Sequence, residues 1–212
     1  MSAHPIIRVL SVAIATTSVA LSGPIDIPTA HADPCPAVEV TFARGTGQPS
    51  GVGKVGQAFI DSLGSQISGR SMDVYAVNYP ATAAFASSAQ NGADDVVAHV
   101  GDMMGRCPNT RMVLGGFSQG AGVIDLATPA LPPHAIDHVA AIAVFGNPTS
   151  PLASTLSGAV FPPIGPPYSS KTIDLCADGD PTCSGGGNIM AHGSYVQSGI
   201  TSQAATYVAG RL

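Results

Sequence analysis

Charge is the scarcest feature of this sequence. Charged residues fill 10% of its 212 positions, with 8 Lys and Arg against 13 Asp and Glu. They form no basic cluster. That argues against nucleic acid and against an anionic membrane surface as the main partner. Zinc-type spacing is missing as well. No CxxC accompanies the thiols, and His134 and His138, though four apart, follow Pro132-Pro133 with no third ligand near. No metal is therefore expected. Internal repeats and low-complexity tracts are absent. Beyond residue 21 no stretch is apolar and long enough to span a bilayer, which takes ~20 residues.

One Gly-rich motif invites a cofactor reading. Gly51-Val52-Gly53-Lys54-Val55-Gly56 matches G-x-G-x-x-G and opens a helical pattern. However, the preceding strand ends near Phe42, and the acidic partner would be Asp73, at an awkward strand start. No dinucleotide or other cofactor is expected.

What the chain does have begins with a leader. Arg8 supplies a positive n-region, Val9 to Leu21 an apolar core, and Ala30-His31-Ala32 a small-residue cleavage site. Residues 1–32 are thus expected to be a cleaved signal peptide. Residues 33–212 form one domain, secreted to the extracellular space or the cell wall, with no stable membrane insertion. Removing one Arg and one Asp with the leader leaves the formal charge at -5. All four Cys, at 35, 107, 176 and 183, lie in the mature part. In a secretory context they imply two disulfides, for which three connectivities exist. Cys176 and Cys183 bracket a turn, so pairing them and linking Cys35 to Cys107 is the simplest choice.

Read in order, the chain alternates strand and helix. Val38 to Phe42 reads as a strand, followed by a Gly-rich loop through Arg44-Gly45-Thr46-Gly47. Val55, Phe59, Leu63 and Ile67 recur every four residues, as in an amphipathic helix. A second strand ends at Asn78-Tyr79-Pro80. Ala81 to Ser88 reads as a small-residue loop carrying Phe85, and Asn91 to Arg106 as a second helix, with His99 on its polar side. Met112 to Leu114 opens a third strand. Val139 to Phe145 is a continuous apolar run, as in a strand buried on both faces. Gly146 to Ser170 reads as a long loop without period. Thr172 to Leu175 is a last short strand, and Tyr195 to Leu212 a C-terminal helix. This alternation predicts an α/β sandwich with a parallel sheet.

The stretch that organises the rest is Gly116-Phe117-Ser118-Gln119-Gly120. It sits where a strand ends and a helix begins, the context of a nucleophile elbow. A bare Ser hydroxyl needs a base, which a third group must orient. Ligands in open α/β sheets collect at the C-terminal ends of strands. After the last strand come Asp178, Asp180 and His192, giving the order Ser, Asp, His. His134 and His138 precede a strand and belong to the other end. The backbone N–H of Gln119 and the Gly-rich loop at Thr46 are the natural oxyanion donors. Ile189, Met190 and Phe85 offer an apolar acyl surface.

These residues resemble the cutinase family, in particular its secreted actinobacterial serine esterases. Four segments carry the resemblance: Ala43-Arg44-Gly45-Thr46, the block from Cys107-Pro108 to Gly120-Ala121, Cys176-Ala177-Asp178-Gly179-Asp180-Pro181-Thr182-Cys183, and Ile189-Met190-Ala191-His192. The resemblance implies an α/β-hydrolase-like three-layer α/β/α sandwich with a central five-stranded parallel sheet and no large lid. It implies disulfides Cys35–Cys107 and Cys176–Cys183. It also implies Ser118 as nucleophile, His192 as base, Asp180 as orienter, and Thr46 and Gln119 as the oxyanion hole. The expected substrates are short- to medium-chain acyl esters, lipids or cutin, handled by a monomer. Other readings are a carbohydrate acetyl esterase and a non-catalytic surface protein with a relict triad. The chain departs from the family pattern near Phe85, where Ala and Ser replace large apolar residues, and at Ser184-Gly185-Gly186-Gly187.

Overall fold

A computed structural model of the chain describes residues 35–212. The expected leader, 1–32, lies outside the described residues. Five parallel strands form the sheet: β1 (Val38–Ala43), β2 (Met72–Ala76), β3 (Arg111–Phe117), β4 (Val139–Phe145) and β5 (Thr172–Leu175). Their order is β2-β1-β3-β4-β5. Every residue of β4 is buried, because helices cover both faces. An all-apolar run is what such a strand requires.

Two helices, α1 (Gly53–Gln66) and α6 (Ile200–Ala209), cover one face. They bury Phe59, Leu63 and Val208 against Phe42, Val113 and Phe145. On the other face α2 (Phe85–Arg106) and α3 (Gln119–Ala127) bury Val96, Val100 and Ile124 against Leu114, Ile142 and Val144. A short α4 (Ala135–His138) precedes β4, and α5 (Pro151–Ser157) follows it. Strand order reverses between β1 and β3, which pair directly. The loops leaving these two strands diverge to opposite faces and open a crevice at the carboxyl edge.

Several elements differ from their sequence reading. Helix α2 starts at Phe85 rather than near Asn91. Its first turns are Ala- and Ser-rich, which hides the period, but Ser88 and Ala89 are buried. The segment after β4 is not a plain loop. Ser150 accepts a hydrogen bond from the Ala153 N–H and Pro151 occupies the first helical position, so α5 forms. The C-terminal helix begins at Ile200, not Tyr195; Gly199 at φ 76° marks the break. His99 is not on a solvated face. Its Nε2 lies 2.7 Å from Glu39 Oε1 and its ring stacks on Tyr75 at 3.5 Å. Both disulfides form as expected, with Cα–Cα distances of 5.5 Å for Cys35–Cys107 and 5.8 Å for Cys176–Cys183.

Candidate active site

Ser118 joins β3 to α3 at φ 56° and ψ -121°. A non-Gly residue held there is strained, at a cost of about 1–3 kcal/mol. The flanking glycines are sterically compelled. A Cβ on Gly116 would sit 2.1 Å from the Gly120 carbonyl oxygen, and one on Gly120 would sit 2.0 Å from that of Ala43. The turn can therefore close only with both side chains absent, and closing it pushes the Ser118 hydroxyl outward.

His192 meets that hydroxyl from a one-turn segment, Ile189–Gly193, which Asn188 caps by accepting from the Met190 N–H. Ser118 Oγ and His192 Nε2 are 2.9 Å apart. His192 Nδ1 lies 2.8 Å from Asp180 Oδ2. An ionised carboxylate only accepts, so the proton belongs on Nδ1 and the Nε2 lone pair faces Ser118. Phe117 stacks on the imidazole at 4.9 Å between centroids. Asp178 does not enter this group; it is exposed, on the wall of a separate polar depression.

Asp180 is fully buried. Burial by itself pushes its carboxyl up. Hydrogen bonds outweigh that and hold it below the ordinary value: Tyr195 Oη–H donates at 2.6 Å, His192 Nδ1–H at 2.8 Å and the Thr182 N–H at 2.9 Å. Tyr195 was read as part of the last helix. It lies instead in the turn before α6, and burial with the Asp180 contact raises its phenol. The available signal was a Tyr three residues beyond the candidate base, since a buried Tyr hydroxyl needs a partner. Thr182 was also missed; its Oγ1 is 3.0 Å from His192 Nδ1.

The two candidate oxyanion donors arrive from opposite sides of the crevice. The Gln119 N–H is the first of α3 and has no intrahelical acceptor. Thr46 Oγ1 is buried, lines the cavity over Ser118, and has no partner among the described residues. Behind both lies one buttress, residues 77–82. Arg44 is 6% exposed and donates to the carbonyls of Gln48 at 2.9 Å and Tyr79 at 2.7 Å. The Gly47 N–H donates to the Ala81 carbonyl at 2.7 Å. The Gln119 side-chain amide donates to the Thr82 carbonyl at 2.8 Å. One segment thus ties the β1 loop to the elbow.

A cavity of about 300 Å³ opens over Ser118. Phe85, Pro148, Ala153 and Leu156 give it an apolar wall. Phe85, expected as acyl surface, thus lines the space over Ser118. Leu156 was missed because α5 was read as loop, although Ser150-Pro151 is a start signal. Ile189 lines a second groove on the far side of His192, and Met190, 79% exposed, lines neither. His134 and His138 stand at the amino edge of β4, away from the crevice.

The geometry has counterparts. The sequence profile of the cutinase family, described as "Cutinase", matches residues 34–212. The carboxylesterase Culp1 of Mycobacterium tuberculosis is 59% identical over 213 residues, covering 100% of this chain and 98% of the relative. The phospholipase Culp4 of the same organism is 49% identical over 188 residues, covering 84% and 80%. Among solved structures, Trichoderma reesei cutinase in complex with a phosphonate inhibitor superposes with a TM-score of 0.69. It is 34% identical, over 84% of this chain and 77% of that one. Fold, elbow and sequence agree, and the chain belongs to the cutinase family.

Proposed function

We propose that this chain, a carboxylic ester hydrolase by family, cleaves acyl esters through Ser118, His192 and Asp180 by way of an acyl-enzyme. The observation that carries the assignment is the unbroken hydrogen-bond chain from Ser118 Oγ through His192 to Asp180 at 2.9 and 2.8 Å, opening on a cavity with an apolar wall. His192 takes the Ser118 proton as Oγ attacks the ester carbonyl. Asp180 keeps the second imidazole proton on Nδ1 and stabilises the imidazolium. The Gln119 N–H and Thr46 receive the oxyanion. His192 then protonates the departing alcohol, and later activates the water that releases the acid.

The cavity sets the acyl class. Phe85, Pro148, Ala153 and Leu156 suit a methylene chain, each buried CH2 being worth about 0.8 kcal/mol. Leu156, 72% exposed, extends that surface outward, so a medium chain keeps gaining contact where acetate does not. That favours short- to medium-chain esters over carbohydrate acetates. The relatives' names, carboxylesterase and phospholipase, are those of ester hydrolases. Two disulfides fit the oxidising compartment of a secreted protein. Among the described residues no helix is long and apolar enough to cross a membrane. The test is a nitrophenyl ester series from acetyl to octanoyl, with fluorophosphonate labelling of wild type and Ser118→Ala. Rates rising from acetyl to at least butyryl, with labelling only in the wild type, are expected. Faster acetyl turnover would favour a deacetylase, and no labelling would leave a protein with a relict triad.

A further inference from the structure

The Gly51–Gly56 motif has no role in the proposed triad, yet it lies beside it. Lys54, inside that motif, lines two depressions that adjoin the active site. One, of about 440 Å³, runs across His192 and Phe117 past Ile189 and Val196. The other, of about 660 Å³, follows residues 46–57. Gln48 lines both, and also the cavity over Ser118. The three spaces therefore form one continuous surface.

Chemistry divides that surface. The acyl chain and the alcohol leave the ester carbon in different directions. The leaving oxygen must come within reach of His192 Nε2, which protonates it. The cavity holding Ser118, Thr46 and Gln119 has the apolar wall and takes the acyl chain. The groove lined by His192 but not by Ser118 is where the alcohol goes.

The electrostatics of that groove are one-sided. In a chain of formal charge -5, no Asp or Glu lines any of the three spaces, and Lys54 is their single Lys or Arg. Lys54 forms no salt bridge among the described residues. It is the second residue of α1, whose first turn holds no acid. A cation there opposes the helix dipole, so the position does not serve folding. Gln48 adds to the donor set. Its Oε1 already accepts from the Gly45 N–H at 2.8 Å, which leaves its amide N–H groups for a ligand. Ile189 and Val196, 66% and 40% exposed, give the opposite wall an apolar lining.

We infer that this groove binds the alcohol half of the ester, and that Lys54 makes the enzyme selective for alcohols carrying an oxyanion, a phosphate above all. The inference rests on the proposed ester hydrolysis and extends it from the acyl side to the leaving group. Lys54 is a specificity residue: it touches the alcohol's charged group, while the bond that breaks is still the acyl C–O bond and the proton still comes from His192.

The test compares 1-hexanoylglycerol with its 3-phosphate at low ionic strength. Wild type should favour the phosphorylated ester in kcat/KM by about fivefold, in line with one partly exposed ion pair. Lys54→Arg should keep that preference, Lys54→Gln should bring the ratio to about 1, and Lys54→Glu should invert it. Raising salt to 0.5 M should shrink the wild-type ratio, since exposed charges are then screened. An equal ratio in wild type and Lys54→Gln overturns the inference while ester hydrolysis stands. Failure to cleave either ester would instead count against the proposed reaction. An NMR titration of Ser118→Ala with glycerol 3-phosphate then judges the groove alone. Saturable shifts that Lys54→Gln removes support it, and none overturn it. Inorganic phosphate in the same titration separates a site for the esterified alcohol from one for any free anion.

Discussion

Among the described residues two carboxylates are wholly shut from water, Asp180 and Asp125, and the protein treats them in opposite ways. Asp180 sits in the loop closed by Cys176–Cys183 and receives three hydrogen bonds, from Tyr195, His192 and Thr182. They hold it ionised. Asp125 lies seven residues past Ser118, on α3. Burial pushes its carboxyl up to about 7, against a weak contact from Asn147 and with the nearby Asp174 charge adding to the rise. Its Oδ1 accepts from Asn147 Nδ2 at 3.3 Å, and its Oδ2 has no partner. Burial alone does not decide what a carboxylate does; the number of donors aimed at it does. Donors hold Asp180 ionised, able to orient an imidazole. Their scarcity lets Asp125 hold its proton up to about pH 7.

The sharpest way to break this comparison is to neutralise the first carboxylate. Asp180→Asn should keep the fold and lower kcat by about 10⁴-fold, because the amide favours the wrong His192 tautomer. Asp178→Asn should stay within about threefold, since surface changes away from such features do little. Steady-state kinetics on a butyryl ester decides it. A crippled Asp178→Asn would move the orienter to Asp178.

Next in size is the loop that holds Asp180. Chain entropy gives about 2.5 kcal/mol for closing the short Cys176–Cys183 loop and about 4.4 kcal/mol for Cys35–Cys107. The short bridge therefore matters less for stability, but it fixes a carboxylate whose misplacement by 1 Å can cost ~100-fold. Replacing Cys176 and Cys183 by Ser should cut kcat more than it lowers Tm. Replacing Cys35 and Cys107 should do the reverse. Parallel losses in both pairs would show that the short loop holds its shape unaided.

Removing one donor should give a smaller and graded effect. Tyr195→Phe deletes the 2.6 Å hydrogen bond to Asp180 Oδ2 and leaves His192 and Thr182 in place. The carboxyl should rise, since a bond that favours its ionised form is lost. The expected result is a fall in kcat of about tenfold, as for a hydrogen bond to a charged group, with the acid limb of the pH–rate profile moved upward. A lower rate with an unmoved acid limb would mean that Tyr195 acts through packing alone.

How far the sequence shows this contrast depends on the residue. The proposed triad is legible because the elbow around Ser118 demands glycines at 116 and 120, and Asp180 and His192 follow the last strand in that order. The sheet is legible because β4 is apolar from end to end. What decides the ionisation of Asp180 is not legible. Tyr195 reaches it only because the last helix starts five residues later than its apolar pattern reads. Asp125 on α3 looks like the one charged position of a largely apolar helix, and its surroundings depend on α3 packing against the sheet and on the segment after β4 bringing Asn147 to it. Leu156 and Lys54 were hidden in different ways, one in an unrecognised short helix, the other in a motif read only as a cofactor decoy. Local chemistry is written in the sequence, while the donors that tune it come from elements that meet only on folding.

Asp125 itself offers the smallest effect on activity and the clearest one on stability. With a folded value of about 7 against 3.8 when exposed, the native state binds the extra proton between those limits. Stability due to this group is then fully present below 3.8 and is lost as pH rises through 7, at up to about 1.4 kcal/mol per pH unit. Asp180 has the opposite sign: its contribution is present above the ordinary carboxylate value and is lost as pH falls through its lowered one. The two carboxylates therefore pull the optimum from both sides toward mildly acid pH. Asp125→Asn keeps the shape and removes the charge. It should leave kcat within about twofold, because no atom of residue 125 lines the cavity over Ser118. At pH 8 it should raise Tm by ~10 °C, and at pH 4 by little, since ~1.4 kcal/mol per unit over about three units is ~4 kcal/mol and about 1 kcal/mol moves a domain of this size by 2–4 °C. Thermal unfolding at the two pH values measures the difference. A loss of Tm by the same amount at both would mean that Asp125 is ionised and paired in the native protein, and that the two buried carboxylates are alike after all.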